Sequence, residues 1–244
     1  MDQIKFKSLS SLIFTLLACL IFIRPFFSGL TYPVFEFYYE TAVISLAIIT
    51  LFLSLREVYL KHNQDVRAKN NYVIPILLLF LAYISSTITS INIQNSLKET
   101  IKFISYVSIF FVVSHASSEQ KKILVKIIVI CASIISIYCI YQYMWGYQHT
   151  LDYLKKINSD FISTSSYARD ILMDKRAIGT FPSPNILGSY LLIALFLSLV
   201  IFENTKAQQK WLLAPFLILI ALALTKSLGV WLSLIGAIAI LFFI

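Results

Sequence analysis

Two cations stand shortly before an apolar helix in the stretch KRAIGTFPSPNILGSYLL, residues 175–192. Ser183 is suited to the N-cap of that helix and Pro184 to its first position. A helix N-terminus has unpaired N–H groups and a partial positive charge, and Lys175 and Arg176 lie a few residues upstream of this one. This arrangement predicts a site for a phosphate or diphosphate, with the guanidinium able to bind two oxygens at once.

Two further residues of the stretch fit this prediction, but a structural interpretation stays open. Gly179 lets the chain fold back closely, and Asn185 lies in the first helical turn. Interfacial Arg and Lys often extend their charges toward water at a membrane boundary, and Ser-Pro begins many helices without binding anything. On residue types alone, the structural interpretation is the commoner of the two.

The elements that must position these residues are apolar helices. The chain has 244 residues, of which 59% are hydrophobic and only 13% charged. A soluble domain could not bury so much apolar surface in its core. Long apolar runs recur along the whole sequence, which predicts an all-α, polytopic transmembrane helix bundle forming one membrane domain over residues 1–244.

About eight spans are predicted, with one long external loop at 146–182 in which we expect short interfacial helices. Lys and Arg in the short connections place the N-terminus in the cytoplasm. Because the last span is still apolar at Ile244, we expect the chain to be the first part of a longer protein. The predicted spans are about 8–27, 34–55, 72–90, 97–114, 122–145, 184–202, 211–225 and 227–244.

Composition argues against several other classes of function. The net charge of +8 does not indicate nucleic-acid binding, because Lys and Arg collect in cytoplasmic loops and no basic stretch is interleaved with aromatics. Cys19, Cys131 and Cys139 fall inside apolar runs, where a Cys usually behaves as a small hydrophobe. No residue spacing indicates a metal site, so we expect neither a metal nor a cofactor.

The opening stretch also resembles the R-x-x-G-T-F-x-x-P-N segment of the O-antigen ligase and O-antigen polymerase superfamily. The preceding span ends in IYQYMWG, similar to a G-x-x-Q ending in that family, and LALTKSLGVWLSLIGA resembles its T-x-S-R-G-x-x-L stretch. The motifs cover roughly 120–244. The matching positions are Arg176, Gly179, Thr180, Phe181, Pro184 and Asn185, together with Gln142.

The resemblance implies a bacterial inner-membrane glycosyl-transfer enzyme that acts on glycans linked to undecaprenyl diphosphate, in polymerisation or in ligation to an acceptor. Its partners would be membrane lipids, the lipid-linked glycan and the glycan acceptor. The catalytic base is unknown. Contacts to the lipid diphosphate are expected from Arg176, Lys175, Gly179, Thr180, Asn185 and Lys226.

Two departures from the family pattern bear on this expectation. Leu228 stands where the family often has Arg, and Lys226, two residues earlier, is a point charge without the guanidinium fork. The family's second large external loop, with its essential His, would follow the end of this chain. A non-catalytic carrier or flippase, or an assembly component of polysaccharide export, is the alternative. A carrier would place charges deep within its spans, and these spans carry almost none.

Three further carboxylates, Glu36, Glu40 and Glu99, are better explained by structure than by catalysis. Glu36 and Glu40 lie four residues apart at the outer end of the second span, a spacing that could serve acid–base chemistry. Pairing with Arg24 across a short outer turn is the favoured interpretation. Glu99, flanked by Lys98 and Lys102, is expected to be a helix-start charge with local partners.

Overall fold

The computed structural model describes residues 2–26, 48, 73–157, 170–204 and 212–243. These residues form α-helices, a 3-10 turn and a π-helical turn, with no strand among them, which confirms the all-helical prediction for this part of the chain. The helices are α1 Asp2–Ile23, α2 Val73–Ile88, α3 Ile93–His115, α4 Ser118–Tyr141, α5 Tyr147–Ile157, α6 Pro184–Asn204, α7 Leu213–Leu224 and α8 Leu228–Phe243.

The helices follow the apolar runs of the sequence. Within the described residues, two are long and apolar enough to cross a membrane, Ser118–Lys156 and Pro184–Ile201. The first is continuous because a π-helical turn, Gln142–Gly146, joins α4 to α5. Glu36 and Glu40 lie outside the described residues, so their pairing with Arg24 stays a prediction.

The chain divides into two compact units, residues 1–20 with 35–121 and residues 21–34 with 122–244. In the first unit, α2 and α3 form a helical hairpin. The Tyr83 and Phe103 rings stack with their centroids 4.2 Å apart, and the Thr87 and Thr100 hydroxyls are 2.7 Å apart. The predicted local pairing of Glu99 is confirmed at 3.1 Å to Lys102 Nζ.

In the second unit, α6 packs against both α7 and α8. The core is apolar, and its fully buried members include Ile135 of α4, Leu187 and Leu191 of α6, and Leu222 of α7. The contact between α6 and α8 is especially close at Gly188, because a Cβ built there would lie 2.6 Å from Val230 Cγ2. The start of α8 is thereby held directly against the start of α6.

A second, smaller core lies under the predicted external loop. Tyr147 and Leu151 of α5 pack with Ile171 and Leu172, whose backbone is helical. The polar residues of α5 face outward. α5 continues α4 through the π-helical turn, so the helix runs beyond the predicted end of the fifth span at 145, and the interfacial position expected for helices in this loop stays a prediction. The packing of α5 holds in place the segment that leads to Arg176.

Candidate anion-binding site

The predicted cap of α6 is confirmed by its hydrogen bonds. Ser183 Oγ accepts from the Ile186 N–H at 3.3 Å, and the Ser183 carbonyl accepts from the Leu187 N–H at 3.1 Å. Upstream of the cap, the Ala177 N–H donates to the Leu224 carbonyl at 2.9 Å. This bond ties the 176–183 segment to the end of α7, so residues distant in sequence meet beside the first turn of α6.

A cavity of about 780 Å³ opens where these segments meet. Four residues predicted to contact a lipid diphosphate lie around it, and they come from three separate parts of the chain. Asp174 contributes the one carboxylate among the described residues that line the cavity. The lining residues are Met173, Asp174, Lys175, Arg176, Asn185, Lys226, Leu228 and Gly229.

Two hydrogen bonds hold the Arg176 guanidinium at the cavity. Its Nε donates to the Thr225 carbonyl, and its Nη2 donates to Oδ1 of Asn185, both at 3.3 Å. These two bonds use two of the five N–H groups of a guanidinium. The other three donate to no group among the described residues. The half-buried side chain is therefore held in place while three N–H groups stay available to a ligand.

The orientation of the Asn185 amide follows from its two neighbours. Oδ1 accepts from Arg176 and also from the Ser227 hydroxyl at 2.9 Å. Because a guanidinium cannot accept a hydrogen bond, the oxygen of the amide must face Arg176. The amide NH₂ group is then what Asn185 offers to the cavity, and it is a donor.

Both lysines of the cavity have an unusual backbone conformation. Lys175 has a φ of 49° and Lys226 a φ of 50°, in the left-handed region that favours glycine. The Arg176 N–H donates to the Ile171 carbonyl at 3.1 Å, which places Lys175 at the left-handed position of a Schellman-type turn. Such strained residues cluster at ligand-binding sites.

Lys226 reaches across the cavity. Its Nζ donates to the backbone carbonyl of Asp174 at 2.6 Å and lies 6.0 Å from the centroid of the Tyr143 ring, within the range of a cation–π contact. Lys175 is exposed and makes no hydrogen bond with the described residues. Its ammonium is therefore available to a ligand without losing a partner.

One edge of the cavity is apolar. Met173 is 59% exposed and Leu228 is 77% exposed, and a Cβ at Gly229 would meet nothing within 4 Å. The Met173 and Leu228 side chains do not pack into the core, so their apolar surface is available for contact with a ligand. The cavity therefore combines a wall of hydrogen-bond donors with an apolar edge.

Gly179 and Thr180 lie in the same loop but outside the lining of the cavity. Gly179 has a φ of 57°, and a Cβ there would come within 3.0 Å of Cys139 Sγ, so this position requires glycine for backbone shape and packing. The hydroxyl of Thr180 donates to the Pro25 carbonyl at 2.5 Å. Their role as ligand contacts stays a prediction, and the structure gives them contacts that hold the loop.

Three further residues shape the site, and the sequence indicates only one of them. Ser227 fixes the Asn185 amide, and Tyr147 donates its hydroxyl to the Arg176 carbonyl at 2.5 Å. Gln142 Oε1 accepts from the Gly179 N–H at 2.9 Å. Gln142 was expected only through a motif, and no spacing pattern points to the two others.

Among the described residues, no group of three or more His, Cys, Asp or Glu side chains could hold a metal ion. Comparisons with protein families, curated proteins and solved structures found no match to this chain.

Proposed function

We propose that this chain is a bacterial inner-membrane glycosyl-transfer protein that acts on glycans linked to undecaprenyl diphosphate, in the assembly of surface polysaccharide. The observation that carries the proposal is the cavity in which Arg176, Lys175, Lys226 and the amide of Asn185 come together. Each of these side chains presents donors, and three of them are cations. Such a wall is suited to a ligand rich in acceptor oxygens and negative charge.

A diphosphate suits this wall better than a single carboxylate. The three cations outnumber the one carboxylate of the cavity, at Asp174, so the lining carries a net positive charge. Arg176 can bind two oxygens with the N–H groups that remain, and each lysine can reach another oxygen as a point charge. The first turn of α6 adds the positive end of its helix dipole.

The apolar edge supports an amphiphilic ligand. Met173 and Leu228 expose large apolar side chains beside the cations, where a free inorganic anion would gain nothing from them. A phosphate group attached to a hydrocarbon chain would contact both walls at once. A polyprenyl diphosphate has this composition.

The proposal places the helices in a membrane as a bundle of about eight spans, with the N-terminus in the cytoplasm. Of the apolar windows in the two long helices, 39% and 44% are buried within the protein. A buried core helix of a soluble protein would hide most of such a window, whereas a lipid-facing helix leaves much of it outward. The outward apolar surface supports contact with lipid.

In the proposed reaction, a hydroxyl of the acceptor attacks the anomeric carbon of the glycan while the bond from that carbon to the diphosphate oxygen breaks. The lipid diphosphate leaves with the bonding electron pair and gathers negative charge. Arg176, Lys175 and Lys226 would stabilise that charge, and the Asn185 amide would donate to it. The proton of the hydroxyl passes to a base that these residues do not identify.

The first test measures binding. The purified chain in detergent micelles is titrated with farnesyl diphosphate, farnesyl monophosphate and inorganic pyrophosphate by calorimetry. We expect the farnesyl diphosphate to bind most tightly and Arg176→Ala to weaken it about 10- to 100-fold, because charged hydrogen bonds are lost. Lys98→Ala, which removes an exposed cation of the other unit, is the matched control and should bind as the unchanged protein does.

The second test measures transfer. In a bacterium that requires this protein for its surface polysaccharide, Arg176→Ala should insert into the membrane normally and yield no polymerised or ligated glycan. Normal glycan from that variant would overturn the proposed role of Arg176. Tight binding of the lipid diphosphate without transfer of its glycan would instead indicate a carrier.

A further inference from the structure

The π-helical turn Gln142–Gly146, here called the π-turn, contacts two segments at the cavity: Gln142 accepts from the Gly179 N–H, and the Tyr143 ring lies 6.0 Å from Lys226 Nζ. π-helical turns inside α-helices are rare and are frequently found at functional sites. This one is defined by the Tyr147 N–H, which donates to the Gln142 carbonyl five residues earlier. We propose that the π-turn is the positioning element of the cavity and that it sets Arg176 through Tyr147 and Lys226 through Tyr143.

The register of the helix explains why a π-turn is needed. Five residues of an α-helix rotate by about 500°, so Gln142 and Tyr147 would point about 140° apart. The i→i+5 bond of the π-turn instead brings residues five apart onto one side. From there, Gln142 Oε1 accepts from the Gly179 N–H, and the Tyr147 hydroxyl donates to the Arg176 carbonyl.

These two contacts hold both ends of the segment 176–179. Gln142 Oε1 is 2.9 Å from the Gly179 nitrogen and 3.4 Å from the Ile178 nitrogen, and the Tyr147 oxygen is 2.5 Å from the Arg176 oxygen. Tyr147 is almost wholly buried. A segment fixed at both ends cannot rotate, so the direction in which the Arg176 side chain leaves the backbone is determined.

The third contact concerns the other cation. Tyr143 lies within the π-turn, and its ring centroid is 6.0 Å from Lys226 Nζ. The same ammonium donates to the Asp174 carbonyl at 2.6 Å. The π-turn and Tyr147, the residue after it, thus hold the backbone of Arg176 and the side chain of Lys226. These two cations are fifty residues apart in the sequence.

This inference rests on the proposed function, because it describes how a cavity for a lipid diphosphate is held in shape. Its test uses two readouts, of which one needs no ligand. The first is the affinity for farnesyl diphosphate in micelles. The second is the rate at which a water-soluble N-hydroxysuccinimide ester acylates Lys226 in the folded protein, measured by mass spectrometry of the peptides after digestion.

Three variants probe the contacts separately. Tyr147→Phe removes only the hydroxyl, and we expect an affinity about fivefold weaker, with acylation of Lys226 unchanged. Tyr143→Leu removes the ring, and we expect acylation of Lys226 to rise about threefold with a similar fall in affinity. Gln142→Met removes the acceptor and should weaken binding, whereas Gln142→Glu keeps an acceptor oxygen and should restore most of it.

A fourth variant deletes Met144, which would return the π-turn to α-helical register and should lower the affinity and raise the acylation of Lys226 together. Tyr153→Phe and Tyr153→Leu are matched controls, because Tyr153 is an exposed residue of α5 outside these contacts. Each variant is measured well below its own unfolding temperature, and the point variants still decide the matter if the deletion does not fold.

The outcomes separate the two proposals. If the unchanged protein binds no lipid diphosphate but Tyr143→Leu still raises the acylation of Lys226, the proposed function fails and the positioning role stands. If the unchanged protein binds the lipid diphosphate and the variants at Gln142, Tyr143 and Tyr147 leave both readouts unchanged, the positioning role is overturned and the proposed function stands. Failure of Gln142→Glu to restore binding would also count against positioning.

Discussion

Arg176 Nη2 donates to Asn185 Oδ1 at 3.3 Å, and this single contact joins the loop before α6 to the first turn of the same helix. The contact has two consequences. It holds the guanidinium beside the helix N-terminus, where an anion is favoured. It also turns the amide NH₂ of Asn185 away from Arg176, so a residue that could have offered an acceptor offers a donor instead.

Asn185→Asp should separate folding from binding. A carboxylate at this position would pair with Arg176 and lies in the first turn of α6, where the helix dipole favours a negative charge, so the free energy of unfolding should rise by about 0.5 kcal/mol. The same charge would repel the ligand and occupy Arg176, so the affinity for farnesyl diphosphate should fall more than about tenfold. Thermal unfolding and calorimetry measure the two effects.

Asn95→Asp is the matched control, because Asn95 lies in the first turn of α3, outside the cavity. It should stabilise its helix in the same way and leave the affinity for the lipid diphosphate unchanged. Equal affinities of the two Asp variants would contradict the assigned orientation of the Asn185 amide.

Lys175→Gly should also raise stability while lowering affinity. The left-handed backbone costs an L-residue about 1–2 kcal/mol, whereas glycine pays about 0.5–1 kcal/mol in lost chain entropy, so the net gain in unfolding free energy is about 1 kcal/mol. Loss of the ammonium should weaken farnesyl diphosphate binding about fivefold. Thermal unfolding in micelles and the binding titration report the two changes.

Lys155→Gly provides the opposite case, because Lys155 lies within α5 and has a helical backbone. Glycine there should lower the unfolding free energy by about 1 kcal/mol and leave binding unchanged. If Lys175→Gly lowers the free energy of unfolding as much as Lys155→Gly does, that result would contradict backbone strain at Lys175.

The start of α6 and the cation before it could be predicted from the sequence. Ser183 and Pro184 follow local rules for helix starts, and such rules need only a few neighbouring residues. The sequence predicts that Arg176 lies near that helix start, because only a short loop separates them. The structure confirms the cap and places Arg176 beside it.

The other parts of the site depend on contacts that a local pattern cannot reveal. Lys226 was proposed through a motif resemblance, but its contact with Asp174 arises from the way α7 ends beside the 170–176 segment. The π-turn leaves no signature in the apolar periodicity. At Lys175 and Lys226 a sequence rule favours glycine, so left-handed lysines are not expected there.

Gly188→Ala should destabilise the second unit. The added Cβ would lie 2.6 Å from Val230 Cγ2, so α8 would have to move away from α6, at a cost of about 1–3 kcal/mol. Because α8 begins at Leu228 beside the cavity, binding of the lipid diphosphate should weaken as well. Thermal unfolding in micelles measures the first effect.

Two comparisons test the cause. As a single substitution, Val230→Ala should lower the free energy of unfolding. In the Gly188→Ala background it should instead recover part of the stability lost at Gly188, which a double-mutant cycle would show as a favourable coupling. Gly236 lies in α8, the helix of Val230, and a Cβ added there would meet open space. Gly236→Ala should therefore raise the free energy of unfolding by about 0.5–1 kcal/mol. Destabilisation of equal size at both glycines would contradict the close contact.

Leu228→Arg should strengthen binding. Leu228 lines the cavity and is 77% exposed, so a longer side chain can enter without displacing a core residue. A second guanidinium would add charged hydrogen bonds to the diphosphate, and we expect an affinity about 5- to 10-fold higher at low salt. Because part of that gain is electrostatic and exposed, it should shrink as ionic strength rises, which titrations at 50 mM and 500 mM salt would measure.

The control for this gain is Leu228→Gln, which adds a polar side chain without charge. It removes apolar contact from the cavity edge, so its affinity for farnesyl diphosphate should fall slightly, while its affinity for inorganic pyrophosphate should stay unchanged. The Arg variant should improve binding of both ligands, because the new charge acts on the diphosphate itself. If Leu228→Arg improves neither, then the diphosphate does not lie between Arg176 and the start of α8, and the ligand would have to bind nearer the first turn of α6.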